Sequence, residues 1–252
     1  MEPETSHKQL FDSERKLVSS YLLSPSVLAG IQLLLGLYAF ATSLAVLVWD
    51  SSRGNGDGYF SFFTHLSYIG LCAYFFAAGV QTFVYSVRGG HAAEYPLQRW
   101  PRVLQYLHVL LFSTIATFPF VVTIVFWALL SSPNTFSSPY STWSNISQHA
   151  LNAVFALLEI VFTNVGPLPW IDLPATIVLL GCYLGVAYIT FQTQGFYPYS
   201  FLNPKQQGSL LAAYIIGIAV GQCMVFVIVR YLIILRERLV RRRMGATVVE
   251  KS

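Results

Sequence analysis

The chain has 252 residues, of which 55% are hydrophobic and only 10% are charged. A soluble domain carries about 25% charged residues, so this composition excludes a water-soluble fold of the same size. The high hydrophobic content excludes a disordered chain, and the net charge of +4 is too small to provide a basic face for nucleic acid. The composition therefore predicts an integral membrane protein.

Six apolar stretches are long enough to cross a bilayer as helices, because a hydrocarbon core of about 30 Å needs about 20 residues. They are continuously apolar rather than alternating, which favours helices over the strands of a β-barrel. We therefore expect an all-α integral membrane bundle of six transmembrane helices, residues 26–235, between an N-terminal segment, 1–25, and a basic tail, 236–252. The predicted spans are Ser26–Trp49, Tyr59–Ser86, Val103–Leu130, Ile146–Val165, Leu173–Thr193 and Ser209–Leu235.

The distribution of basic residues predicts which side of the bundle faces the cytoplasm. Twelve Lys and Arg residues lie on the side that carries the termini, and two, Arg53 and Lys205, lie on the other side. Both termini are therefore predicted to be cytoplasmic, in either the endoplasmic reticulum or the plasma membrane. The arginine-rich tail is suited to anionic lipid headgroups, or it acts only as a topology signal.

Polar side chains inside membrane spans are costly and often mark function. In the predicted fourth span, four polar residues and one alanine follow steps of three and four, so they form a single stripe that should face the bundle interior. This stripe consists of His149, Asn152, Ala156, Glu159 and Thr163.

A second polar group is expected deeper in the membrane. Glu159 lies about as deep as His108 on the third span and Gln222 on the sixth. One interpretation is structural, with Glu159 and His108 satisfying each other. The functional interpretation is a transporter or a proton-coupled channel that uses all three residues.

Thr64 and His149 lie under the same leaflet of the predicted spans, about 7 Å and about 5 Å from the outer ends. A hydroxyl becomes an effective nucleophile when a histidine accepts its proton, so such a pair could attack an ester carbonyl. The structural alternative is that Thr64 bonds back to the carbonyl of Phe60. The candidates to support the pair are Asn145, Asn152, Glu159 and Asp50.

Four short elements resemble a known family. The chain is similar, distantly but from the second span to the sixth, to the family of androgen-induced gene 1 and androgen-dependent TFPI-regulating protein, which are multi-pass membrane proteins. The elements are Phe62-Phe63-Thr64, Phe118-Pro119 followed by Phe126-Trp127, Trp143-Ser144-Asn145 followed by His149 and Glu159, and Gly195-Phe196-Tyr197-Pro198.

The resemblance implies a threonine hydrolase of lipids, with Thr64 as the nucleophile and His149 as the general base. Known members of that family cleave fatty acid esters of hydroxy fatty acids, so the expected partner is a lipid substrate, without a cofactor or metal. His65 departs from the aromatic residue that animal members have after the threonine, which bears on substrate preference. Two alternatives stay open, the transporter or channel described above and a non-catalytic membrane scaffold.

Overall fold

The computed structural model describes residues 10–89 and 94–249, and within these ranges it contains helices and no strands. Six helices are long and apolar enough to cross a membrane. This confirms the predicted all-α membrane bundle, while the cytoplasmic placement of the termini stays a prediction. The helices are α1 (Pro25–Ser52), α2 (Phe63–Val87), α3 (Arg102–Leu130), α4 (Pro139–Phe162), α5 (Asp172–Gln194) and α6 (Leu210–Val249).

Short helical turns occupy the segments between these spans. The side of the bundle that carries the termini contains Lys16–Val18 and Pro96–Arg99. The opposite side, which we call the far side, contains Gly56–Ser61, Pro133–Phe136, Ser200–Leu202 and Pro204–Gln207.

Two helix starts differ from the apolar boundaries. Helix α2 begins at Phe63 instead of Tyr59, and α4 begins at Pro139 instead of Ile146. The start of α4 is set by capping and not by hydrophobicity. Ser138 caps the helix, because its side chain accepts a hydrogen bond from the Ser141 amide. Pro139 occupies the first helical position, where its missing N–H costs nothing. Counted from the observed starts, Thr64 lies in the first turn of α2 and His149 lies nearly three turns into α4. A helix start does not mark the membrane surface, so the similar depth expected for the two residues stays a prediction.

Helices α3 and α4 are both interrupted near the middle of the bundle. In α3, the regular helix is interrupted between Arg102–Ile115 and Phe118–Val125, because Pro119 has no N–H to donate. The same helix ends in a π-helical turn, Phe126–Leu130. In α4, a second π-helical turn, Ser147–Leu151, separates Pro139–Ile146 from Asn152–Phe162. Such turns often occur at functional sites, and here one of them carries His149.

Helices α1 and α2 form the closest helix pair through two glycines. A Cβ atom on Gly79 would lie 2.8 Å from Leu33 Cγ, and one on Gly36 would lie 3.3 Å from the backbone nitrogen of Phe76. Helices in lipid associate largely by such close packing, since the lipid tails remove the hydrophobic drive between them. The small residues therefore determine how closely α1 approaches α2.

Substitution of Gly79 by valine should destabilise the bundle by about 1–3 kcal/mol, because the new side chain collides with Leu33. Thermal unfolding in detergent measures the loss. Gly70 lies on the same helix, and a Cβ atom added there would meet nothing within 4 Å, so Gly70→Val is the matched control and should cost little. Equal losses in both variants would contradict the close-packing explanation.

The segment before α1 is folded onto the side of the bundle that carries the termini. The Asp12 carboxylate accepts from the amides of Lys16 and Leu17 and from the Tyr95 hydroxyl at 2.6–3.1 Å. Gln98 donates to the carbonyl of Asp12 at 3.0 Å. Burial raises the pKa of Asp12 above its usual value, although these donors act in the opposite direction.

Helix α6 continues without a break through the predicted start of the basic tail. Arg236 is buried and donates to two carbonyls, that of Ile160 near the end of α4 and that of Val165 just after it. Arg230 donates to the carbonyl of Leu168. These arginines therefore hold α6 against the α4–α5 connection. Two of the twelve basic residues counted above, Lys8 and Lys251, lie outside the described residues.

Candidate active site

A cavity of about 210 Å³ lies between α2, α3, α5, α6 and the segment 195–209. Most of the residues on its walls are apolar, and those with polar side chains are Thr64, Tyr183 and Tyr199. An apolar cavity of about 150 Å³ is large enough to bind benzene, so this space can hold part of a fatty acyl chain.

Thr64 lies on the wall of this cavity and is 7% exposed. Its Oγ1 lies 3.4 Å from the Tyr199 hydroxyl, and its amide nitrogen is also 3.4 Å from that hydroxyl. The expected bond to the Phe60 carbonyl is replaced by this contact, because Phe60 lies in the turn before α2 and is not part of the helix. Thr64 therefore lies on the cavity wall with its hydroxyl beside that of a tyrosine.

Tyr199 is the site residue that the sequence reasoning missed. It follows directly after the Gly195-Phe196-Tyr197-Pro198 element, which was the available signal. Its ring stacks on Phe201, with centroids 5.1 Å apart and planes at 6°, and it meets Phe62 edge-on at 5.8 Å. These contacts fix the direction of the hydroxyl towards Thr64.

His149 lies in the π-helical turn of α4 and is 9% exposed. Its ring stacks on Phe126 with centroids 3.6 Å apart and planes at 3°. Its Nδ1 has no hydrogen-bond partner among the described residues. Phe126 lines the cavity, whereas His149 does not. The structure thus places His149 against a wall residue of the cavity and does not join it to Thr64 by a hydrogen bond.

Asn145 and Asn152 hold helices and connections together and do not orient the His149 ring. Asn145 Nδ2 donates to the carbonyl of Thr135 at 3.1 Å. Asn152 Oδ1 accepts from Thr123 Oγ1 at 3.1 Å, and this bond joins α4 to α3. The side-chain amides are therefore already used in structural contacts.

Asp50 lies in a different depression on the far side of the bundle. This polar depression, of about 730 Å³, is lined by Asp50, Tyr59 and Phe62 among others. Tyr59 stacks on the ring of His65, whose Nδ1 lies 2.7 Å from the carbonyl of Tyr59. Asp50 therefore lies on the wall of this depression and not on the wall of the cavity that Thr64 lines.

Glu159 belongs to a buried network near the other side of the membrane. Its Oε1 accepts from Gln32 Nε2 and from the Tyr74 hydroxyl, each at 2.8 Å, and Gln32 in turn accepts from Thr82 at 2.9 Å. The expected pairing of Glu159 with His108 is wrong, because His108 stacks on the ring of Tyr74 instead. The donors to Glu159 come from α1 and α2. The polar stripe on α4 did not indicate that these two helices are its neighbours.

The third residue of the expected polar layer, Gln222, has its own partner, donating to Thr117 Oγ1 at 3.0 Å. Glu159, His108 and Gln222 thus contact different side chains, and in the part of the chain that the structure describes they do not hydrogen-bond to one another. Among the described residues, no group of three or more His, Cys, Asp or Glu side chains is placed to hold a metal ion.

Six apolar helices enclosing a cavity with a threonine on its wall define a multi-pass helical membrane protein. A family model described as FAR-17a/AIG1-like protein matches residues 28–233. The chain therefore belongs to the FAR-17a/AIG1-like family, which confirms the predicted resemblance and extends it to α1. Comparisons with curated proteins and with solved structures found no match.

Proposed function

We propose that this protein is a membrane-embedded hydrolase that cleaves fatty acyl esters, with Thr64 as the nucleophile and His149 as the general base. The observation that carries the proposal is the position of Thr64 on the wall of an apolar cavity large enough for part of an acyl chain. Membership of the FAR-17a/AIG1-like family is compatible with a hydrolase. By the family resemblance, the substrates are fatty acid esters of hydroxy fatty acids.

The reaction proceeds in two steps through an acyl-enzyme. Thr64 Oγ1 attacks the ester carbonyl carbon while His149 accepts the hydroxyl proton, and the π-electron pair of the carbonyl moves onto its oxygen. The tetrahedral intermediate then collapses, the ester C–O bond breaks, and His149 returns the proton to the departing alcohol oxygen. Water, activated by His149, attacks the acyl-threonine in the same way and releases the fatty acid and Thr64.

His149 reaches the reacting atoms in this proposal when the Phe126 ring moves off its face. A buried nitrogen without a hydrogen-bond partner costs about 1–3 kcal/mol, so the Nδ1 of His149 gains from any state that supplies a partner. Catalytic hydrogen bonds are often absent or long before substrate binds and tighten in the complex. The two π-helical turns that carry Phe126 and His149 provide the local irregularity for this movement.

Activity-based labelling tests the proposal directly. A fluorophosphonate probe is added to the purified protein in detergent, and the modified residue is mapped by mass spectrometry. The expected result is a single adduct on Thr64 that an excess of fatty acyl ester suppresses. The absence of any adduct on Thr64, together with solute movement in sealed vesicles, would favour the transporter that uses Glu159, His108 and Gln222.

A further inference from the structure

The first turn of α2 offers backbone donors at the cavity wall. Helix α2 begins at Phe63, and its N-cap residue, Phe62, provides no side-chain hydrogen bond. The first bond of the helix runs from the Leu66 amide to the Phe62 carbonyl at 3.2 Å. The Thr64 amide therefore precedes the helical ladder, and its N–H is free for a partner outside the helix.

That outside partner is the Tyr199 hydroxyl, but the contact is loose. Both the amide nitrogen and Oγ1 of Thr64 are 3.4 Å from the Tyr199 oxygen. Hydrogen bonds between N–H or O–H groups and oxygen are typically about 2.7–3.0 Å long. Thr64 and Tyr199 thus touch without a strong bond, and the Tyr199 hydroxyl also interacts with the Tyr183 hydroxyl and the Phe63 amide. An acceptor placed closer to Thr64 and Tyr199 would form shorter bonds than the contact that it replaces.

The separation of the two donors allows them to share one acceptor. Two atoms 3.4 Å apart can both lie within about 3 Å of a third atom placed beside them, here inside the cavity that both residues line. A nucleophile's own amide is one donor of the oxyanion hole in serine proteases, so this position suits the carbonyl oxygen that Thr64 attacks. The carbonyl oxygen of a bound ester would be such an acceptor for the Thr64 amide and the Tyr199 hydroxyl.

Tyr199 remains a donor at neutral pH. Its surroundings are aromatic and buried, and burial raises the pKa of its hydroxyl above the usual value near 10. The stacking on Phe201 and the edge contact with Phe62 hold the ring in place. A donor that is already oriented stabilises developing charge without having to reorganise during the reaction.

We propose that Tyr199 is a catalytic residue whose hydroxyl, together with the amide of Thr64, forms the oxyanion hole of this enzyme. The inference rests on the proposed hydrolase function. When Thr64 attacks, both donors hydrogen-bond to the carbonyl oxygen as it becomes negatively charged. Tyr199 keeps its proton throughout, and the oxygen returns to a carbonyl when the alcohol leaves.

The test is Tyr199→Phe, which removes the hydroxyl and keeps the ring contacts with Phe201 and Phe62. We expect kcat for a fatty acyl ester to fall by about 10²–10³-fold, as on removal of one oxyanion-hole donor, with KM nearly unchanged. The matched control is Tyr197→Phe, because Tyr197 stands in the same segment and stacks on Phe191, away from Thr64. It should keep the kcat of the unmodified protein.

Three outcomes separate the alternatives. Unchanged kcat in Tyr199→Phe, while Thr64→Ala is inactive, overturns the role of Tyr199 and leaves the hydrolase standing. Equal losses in both tyrosine variants also overturn it, since the effect would not be specific to this hydroxyl. A protein that hydrolyses no acyl ester in any form removes the proposed function itself.

A second measurement covers the case in which Tyr199→Phe does not fold. Incorporation of 3-fluorotyrosine at position 199 keeps the ring and the hydroxyl but makes the hydroxyl more acidic. A donor to an oxyanion should then change kcat without changing KM. A kcat identical to that of the unmodified protein contradicts the proposal.

Discussion

Replacement of Thr64 by valine should reduce hydrolysis of fatty acyl esters by at least about 10⁴-fold, leaving only what binding and polarisation supply. Valine has nearly the shape of threonine and lacks only the hydroxyl, so the cavity wall is kept while the attacking atom is lost. Initial rates on a fatty acid ester of a hydroxy fatty acid measure the effect, in detergent or in reconstituted vesicles.

Two further variants make this result specific. Thr64→Ser retains a hydroxyl at the same place and should keep a measurable part of the activity. Thr114→Val is the matched control, since the Thr114 hydroxyl donates to the carbonyl of Leu111 in its own helix at 2.7 Å. Activity in Thr64→Val equal to that of Thr114→Val would rule out Thr64 as the nucleophile.

The replacement of His149 by glutamine should lower kcat by about 10²–10⁴-fold, the usual contribution of a general base. Glutamine can still form hydrogen bonds but cannot accept a proton from Thr64 near neutral pH. The loss should appear in kcat, and fluorophosphonate labelling of Thr64 should slow in parallel, because the same base activates the same hydroxyl.

His108 provides a matched control for this variant. It is also a buried histidine stacked against an aromatic ring, that of Tyr74, but it lies in the other polar group of the bundle. His108→Gln should therefore leave kcat unchanged even if it lowers stability. Comparable losses of kcat in His149→Gln and His108→Gln would show that the effect arises from packing and not from proton transfer.

The candidate site was only partly accessible from the sequence. Thr64 and His149 were predicted from residue type, span position and family resemblance, and the family itself is confirmed. The neighbours of these residues were not identified: Tyr199 beside Thr64 and Phe126 on the face of His149 lie on other segments. A pattern within one helix indicates which face is polar but not which helix covers it.

The supporting residues show the same limit. Asn152 and Glu159 were recognised as polar groups that need partners inside the bundle, and Asn145 was a candidate to support His149. Their partners depend on which helices are neighbours, and Glu159 is satisfied by Gln32 and Tyr74, two residues from α1 and α2. Hydrogen-bond geometry decides such partnerships at the scale of a few tenths of an ångström.

The sequence by itself determined the membrane class, the number of spans and the helical fold, because bilayer thickness converts directly into a length of apolar chain. It did not determine where α4 begins, because Ser138 and Pro139 start the helix before the apolar run. Only the tertiary structure decided that Thr64 faces a cavity beside Tyr199 and that His149 lies behind Phe126. The physical reason is that apolar length is a local property that adds up along the chain, whereas a site is made by side chains that distant segments bring together.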